Sequence, residues 1–242
     1  MMTQKTRYKL TKKLPSIDVD IALLKDIETY LLSNLPKLFD IDKIKVREKY
    51  YTEIIEANGE HSLGLIEQYD GNLFPDATTR ITVGLRIYNY ETNLDINISL
   101  TFDRDELFSA IKIDLFDLNP KEKANGILTK LESLINEKKN LNYLFHPPML
   151  LNIIIGAIGY LIPATSSFIF RYSTKLGVFS ILLGLSLAAY FWLFKKWKPY
   201  ASFATNRQTR NDSIANYLLL GVLGFILFST GMLFIRRYLI GI

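Results

Sequence analysis

Two stretches of the chain alternate apolar and polar residues with a period of two. Ile81, Val83, Leu85 and Ile87 alternate with Thr82, Gly84, Arg86 and Tyr88, and Leu94, Ile96, Ile98, Leu100 and Phe102 alternate with Asp95, Asn97, Ser99 and Thr101. Successive side chains of a strand point to opposite faces, so each stretch reads as a strand with one face buried and one wet, as antiparallel sheets allow. Ile111, Ile113 and Leu115 predict another. Upstream, Ile44–Ala57 and His61–Tyr69 flank Asn58-Gly59, a hairpin signal because both turn residues tolerate positive φ.

On either side of these strands the period changes. From Asp18 to Asn34 and just beyond, Ile21, Leu24, Ile27, Leu31 and Leu35 fall on one helical face, with Pro36 near its end. A second helix is expected to start at Asn119-Pro120-Lys121-Glu122 and run to about Lys139. There Asn supplies the cap, Pro occupies the first turn and Glu122 reaches back in a capping box. Ala124, Ile127, Leu128, Leu131, Leu134 and Ile135 form its apolar face. The order helix, five-stranded antiparallel meander, helix predicts an α+β domain over residues 14–145.

Beyond His146-Pro147-Pro148 the alternation gives way to long apolar windows. Met149–Phe170, Leu176–Phe194 and Ser213–Ile235 contain no acid or base, and each has the length, about 20 residues, that crosses a hydrocarbon core roughly 30 Å thick. They predict an α-helical transmembrane region of three spans (about 149–170, 176–194 and 213–235) within residues 146–242. Pro163 and the following Ala164-Thr-Ser-Ser run make the first the least regular. Ser180, Gly184 and Ala188, and Gly221, Gly224 and Gly231, form small-residue stripes suited to close helix packing.

Charge sharpens this division. Residues 1–145 hold 20 Lys and Arg against 23 Asp and Glu, whereas residues 146–242 hold nine against one. Five of the first group (Lys5, Arg7, Lys9, Lys12 and Lys13) lie in residues 1–13, expected as a basic amino-terminal tail, which leaves the body of the domain acidic. An acidic body repels phosphate backbones, so the overall excess of +5 gives no support to nucleic-acid binding. Lys195, Lys196, Lys198, Arg207 and Arg210 cluster between the second and third windows, beside Trp192, Trp197 and Tyr200. Aromatic rings favour the headgroup region and basic loops stay inside, so these residues are expected at the membrane interface. That puts the amino-terminal domain in the cytoplasm and the carboxy terminus on the opposite side, an arrangement also suggested by the lack of an apolar leader near Met1.

Candidate chemistry is sparse. The chain has no cysteine and two histidines, His61 and His146, neither with a ligand-spaced neighbour. The glycines of the first half are isolated, so no phosphate loop is predicted. Asp103-Arg104-Asp105-Glu106 is the densest acidic cluster, and a solvated connection between strands accounts for it better than a catalytic or metal-binding role. Asp114 and Asp117 read the same way, and the sequons at Asn97 and Asn211 fall on segments expected inside. No ionisable residue lies within a span, which argues against a self-contained transporter. No cofactor, metal or catalytic residue is predicted. The expectation is a membrane-anchored, non-enzymatic protein whose cytoplasmic domain binds a partner or signal. Its partners would be the bilayer and a protein or a second copy of the chain. The alternative is an oligomeric effector or pore-former triggered through that domain.

Overall fold

The long amino-terminal helix forms where the period predicts it. Helix α1 (Ile21–Phe39) starts at Asp20, whose Oδ1 accepts the Leu23 N–H at 2.8 Å. Leu24, Ile27, Leu31 and Leu35 are fully buried along it. The helix runs three residues past Pro36, because a proline in the last turn removes only one ladder bond. It closes at Asp40, held in the left-handed region at φ 52°.

The computed structural model describes residues 5–89, 93–147 and 195–238, with isolated helical positions between 151 and 184; in the last helix side chains are described to 221 and at 224. After α1 come a short helix α2 (Lys43–Glu48), strands β3 (Tyr50–Glu56), β4 (Gly59–Leu63), β5 (Thr78–Asn89), β6 (Leu94–Asp103) and β7 (Ala110–Asp117), and helix α3 (Pro120–Glu137). Two strands precede α1: β1 (Thr6–Lys13) and β2 (Ile17–Val19). Farther along lie β8 (Ala201–Phe203) and helix α4 (Asn206–Tyr238). The α+β class with an antiparallel sheet is as expected.

The details of the sheet differ from a five-stranded meander. It has six strands in the order β1-β7-β6-β5-β3-β4. Strand β5 passes over β4 to pair with β3, bringing Val83 opposite Thr52 and Ile81 opposite Ile54. The side chains explain this choice. Tyr50, Thr52 and Ile54 are buried, as a central strand requires, whereas Glu60, His61 and Ser62 of β4 are exposed and suit an edge. The hairpin turn also moves by one residue: Glu56 faces Gly59, so Ala57 and Asn58 form the turn.

The basic amino-terminal run is the other edge strand rather than a tail. Tyr8 and Leu10 pack against the core. Arg7 grips Asp114 through two bonds, Nε to Oδ1 at 2.8 Å and Nη2 to Oδ2 at 2.7 Å, and reaches Asp95 at 3.3 Å. Lys9 adds a 3.3 Å contact to Asp114, and Lys13 meets Glu106 at 2.5 Å. The Arg7 hydrogen bonds hold the Asp114 carboxyl below its ordinary range. The acidity of the body and the basicity of its first residues are thus two sides of one strand pairing.

Helices α1 and α3 pack together, α3 against β7 and β1, and share one core with the sheet. Asn119, before α3, stands in the left-handed region at φ 54° and makes no side-chain cap bond, contrary to the expected capping box. A residue preceding proline avoids the helical region, and asparagine tolerates the left-handed one, which lets the chain turn sharply out of β7.

Strand β8 pairs in parallel with β2, Ile17 opposite Ala201 and Val19 opposite Phe203. Ala201 and Phe203 are 0% and 1% exposed and belong to the same core as α1 and the sheet. The core therefore extends beyond residues 14–145 into the basic stretch between the second and third apolar windows. Among the described residues no helix is long and apolar enough to cross a membrane. The backbone of α4 covers the third window; the first two fall almost wholly outside the described residues.

Candidate functional site at the carboxy-terminal junction

Among the described residues, a dense set of buried polar contacts lies where the segment 195–212 meets the domain. Residues Ile17, Val19 and Leu14 come to it from the amino terminus, and Arg104–Ser109 from the β6–β7 turn. Asn142–Phe145, a single 3-10 turn after α3, completes it.

Backbone bonds fix the segment on both sides. The Tyr200 N–H donates to Arg104 O at 3.0 Å while Tyr200 O accepts from Ile17 N–H at 3.1 Å. The Ala204 N–H donates to Val19 O at 2.9 Å, and Ala204 O accepts from Phe74 N–H at 2.9 Å. The Tyr200 hydroxyl donates to Leu14 O at 2.8 Å. A three-residue strand has too little area to dock through its own ladder, so these flanking bonds supply the rest.

Three buried side chains complete the lock. Asn142 is 8% exposed and its Nδ2 donates to Pro199 O and Ser202 Oγ, both at 2.9 Å. Gln208 donates to Trp197 O at 2.8 Å, and its own N–H is capped by Thr205 Oγ1 at 3.0 Å. His146 is 6% exposed, lies 5.7 Å edge-on from the Tyr200 ring, and its Nε2 stands 2.8 Å from Lys198 O. A carbonyl only accepts, so Nε2 carries the hydrogen.

Burial holds the His146 imidazole below its usual range, with a nearby Lys195 acting in the same sense. The Lys198 carbonyl and the more distant Glu106 and Asp105 oppose this. The unfolded chain then takes up the proton at a higher pH than the folded one. The stabilisation is complete above the ordinary value of 6.5 and is lost as pH falls from there through the lower folded value. The melting temperature of the unaltered protein should drop relative to His146→Gln as pH falls below that value. A difference between the two that is constant across pH would refute this.

The expected interface residues are divided by this site. Lys198 is drawn in, bonding Asp212 at 2.6 Å, and Trp197 packs against Phe145 and Ala215. The Arg207 N–H bonds Asp76 at 2.8 Å while its side chain, like those of Lys195, Lys196 and Arg210, is exposed. Trp192, Ser180 and Ala188 lie outside the described residues. Gly184 is helical and buried; Gly221 and Gly224 are exposed on α4 with no atom within 4 Å of where a Cβ would lie; Gly231 is in the same helix.

The acidic cluster is a built turn. Asp103 binds Arg80 Nε at 2.6 Å and accepts the Asp105 N–H at 2.7 Å, and Asp105 in turn accepts the Leu107 N–H at 3.1 Å. Asp117 is paired with Lys123, and His61 lies on β4 beside Glu56 at 3.1 Å. Among the described residues no three His, Cys, Asp or Glu side chains are grouped to hold a metal. Asn142 and Gln208 had no local signature, since the partners that bury them lie 11 to 60 positions away, and Tyr200, expected as an interface aromatic, instead bonds Leu14 O in the junction. Glu28 had no such signature either: buried on the inner face of α1, it accepts the Ile66 N–H at 2.7 Å, and burial raises its carboxyl. No protein-family model matches the sequence, and neither a curated protein nor a solved structure is significantly similar to it.

Proposed function

We propose that this chain is a membrane-anchored, non-enzymatic protein whose cytoplasmic α+β domain binds a partner or signal, held by spans over about residues 149–170, 176–194 and 213–235. The observation that carries this reading is the seating of β8 in the domain core. The apolar windows leave the domain at His146 and adjoin it again at Lys198–Asp212, and both points belong to one hydrogen-bonded junction. A domain fixed to its anchors at two places is suited to passing a rearrangement to them. The carboxylates Asp103 and Asp105 are committed to Arg80 and to backbone amides, which weighs against a hydrolytic role.

The same double attachment also favours a second reading, an oligomeric effector that opens the membrane when the domain is triggered. Movement of one junction would displace two window ends together. Reconstitution of the full chain into dye-loaded vesicles separates the two. An anchor resists alkaline carbonate extraction and leaves the vesicles sealed, an effector resists extraction and releases dye, and a chain released by carbonate is not membrane-anchored. A reporter fused after Ile242 should be accessible only on the side opposite the domain.

A further inference from the structure

The register of the sheet separates its two ends. At one end lie the pairs Lys13–Ala110, Arg80–Asp103 and Glu56–Thr78; at the other lie Thr6–Asp117 and Asn89–Leu94. The junction with residues 195–212 is at the first end. So is the β6–β7 turn, tied to it by the Tyr200–Arg104 and Leu14–Ser109 backbone bonds of 3.0 and 3.1 Å.

That turn presents Leu107 and Phe108 to solvent, 79% and 54% exposed. Consecutive large apolar residues at a turn tip gain nothing from water; the fold covers only part of the Phe108 ring, with the Arg80 guanidinium 5.2 Å over it, and leaves Leu107 bare. On the same end, Leu141 and, in the 3-10 turn that follows it, Tyr143 and Leu144 are 66%, 46% and 57% exposed. Their acidic neighbours are occupied: Glu106 is paired with Lys13 at 2.5 Å, and Asp105 accepts the Leu107 N–H. Exposed Lys195 adds positive charge at this end.

We propose that the Leu107–Phe108 tip is a lipid-contact element that enters the headgroup boundary of the bilayer and lays this end of the sheet on the membrane. This rests on the anchored reading above. The occupant follows from where the chain goes: the first apolar window begins just past His146, the second ends just before Lys195, and α4 starts at Asn206, all at this end. A surface from which three window ends emerge is the surface that meets the bilayer. Apolar side chains partly buried at the acyl boundary, with basic residues facing anionic headgroups, are the usual composition of interfacial contacts. The contact would fix the tilt of the domain, which the junction alone leaves to short segments.

The chain has no cysteine, so single cysteines can be labelled without background. An environment-sensitive nitrobenzoxadiazole dye would be attached at Phe108→Cys, at Ile44→Cys and at Phe228→Cys in the full chain. Each would be reconstituted in vesicles of phosphatidylcholine and phosphatidylglycerol containing lipids spin-labelled near the headgroup or deep in the acyl chain. Ile44 is 66% exposed and adjoins a cleft that Lys45 and Asp42 share with Asn89, Leu94 and Asp117, at the far end of the sheet. We expect the dye at position 108 to shift to the blue and to be quenched roughly twofold, more by the shallow label than by the deep one, as for an interfacial group. The dye at 44 should be unaffected, and that at 228 quenched most by the deep label. Quenching at 228 with position 108 behaving like 44 overturns this proposal and leaves the anchored reading intact. No quenching at 228 overturns both.

Discussion

Replacing Phe203 with alanine should lower the stability of the domain by about 3–5 kcal/mol, the range for deleting a large aromatic side chain from a packed interior. Phe203 is among the largest side chains that are fully buried, and its ring meets Phe74 edge-on at 6.4 Å. The effect is large because the residue comes from outside the main body of the domain. Its loss leaves a cavity in the core beside Phe74 and also weakens the seat of β8 against β2. Chemical denaturation of the full chain in mild detergent would show a lower midpoint. As a control, Ile44→Ala removes a side chain that is 66% exposed and should move the midpoint by less than about 0.5 kcal/mol. A midpoint for Phe203→Ala equal to that of the control would mean that β8 is not part of the core.

The second large effect is expected at Asn142. Aspartate has the same shape as asparagine but no N–H, so Asn142→Asp leaves Pro199 O without its donor and sets a carboxylate against that carbonyl. Ser202 can turn its hydroxyl toward the new group, but Pro199 O cannot change its role. The penalty for a buried, poorly compensated charge puts the cost at about 3 kcal/mol at neutral pH, falling as acid neutralises the carboxylate. Asn142→Ala removes the bonds without adding charge and should cost about 1–2 kcal/mol independently of pH. Limited trypsin digestion reads the junction directly, because Lys198 is half-buried and held by Asp212 and should become a fast cleavage site when the junction opens. Equal cleavage of the Asp and Ala variants at neutral pH would show that charge at this position is tolerated and that the junction is wetter than its burial suggests.

Much of the fold was legible from periodicity. The faces of α1 and α3, and the inward residues of β5, β6 and β7, follow from spacing because each is decided by which side meets the core. Strand β1 was not legible in that way. Its charged residues outnumber Tyr8 and Leu10, and the acid that neutralises Arg7 stands 107 positions later in the chain. The position of β4 was hidden for a related reason: a hairpin signal gives the pairing of two strands but not which of them the next strand will join. The junction was the least legible part. Lys195–Arg210 has the composition of a solvated basic loop, yet Lys198 is paired, Trp197 is packed, and Ala201–Phe203 are buried.

By itself the sequence determined the division of the protein into an acidic, patterned half and an apolar, basic half, and the α+β class of the former. Those features depend on local spacing and on summed charge, which need no knowledge of distant partners. Only the tertiary structure decided that the basic amino terminus is an edge strand, that β5 joins β3, and that a three-residue segment from between two apolar windows completes the core. Each of these is a pairing between residues far apart in the chain. Its free energy comes from surfaces that exist only once the rest of the domain has folded.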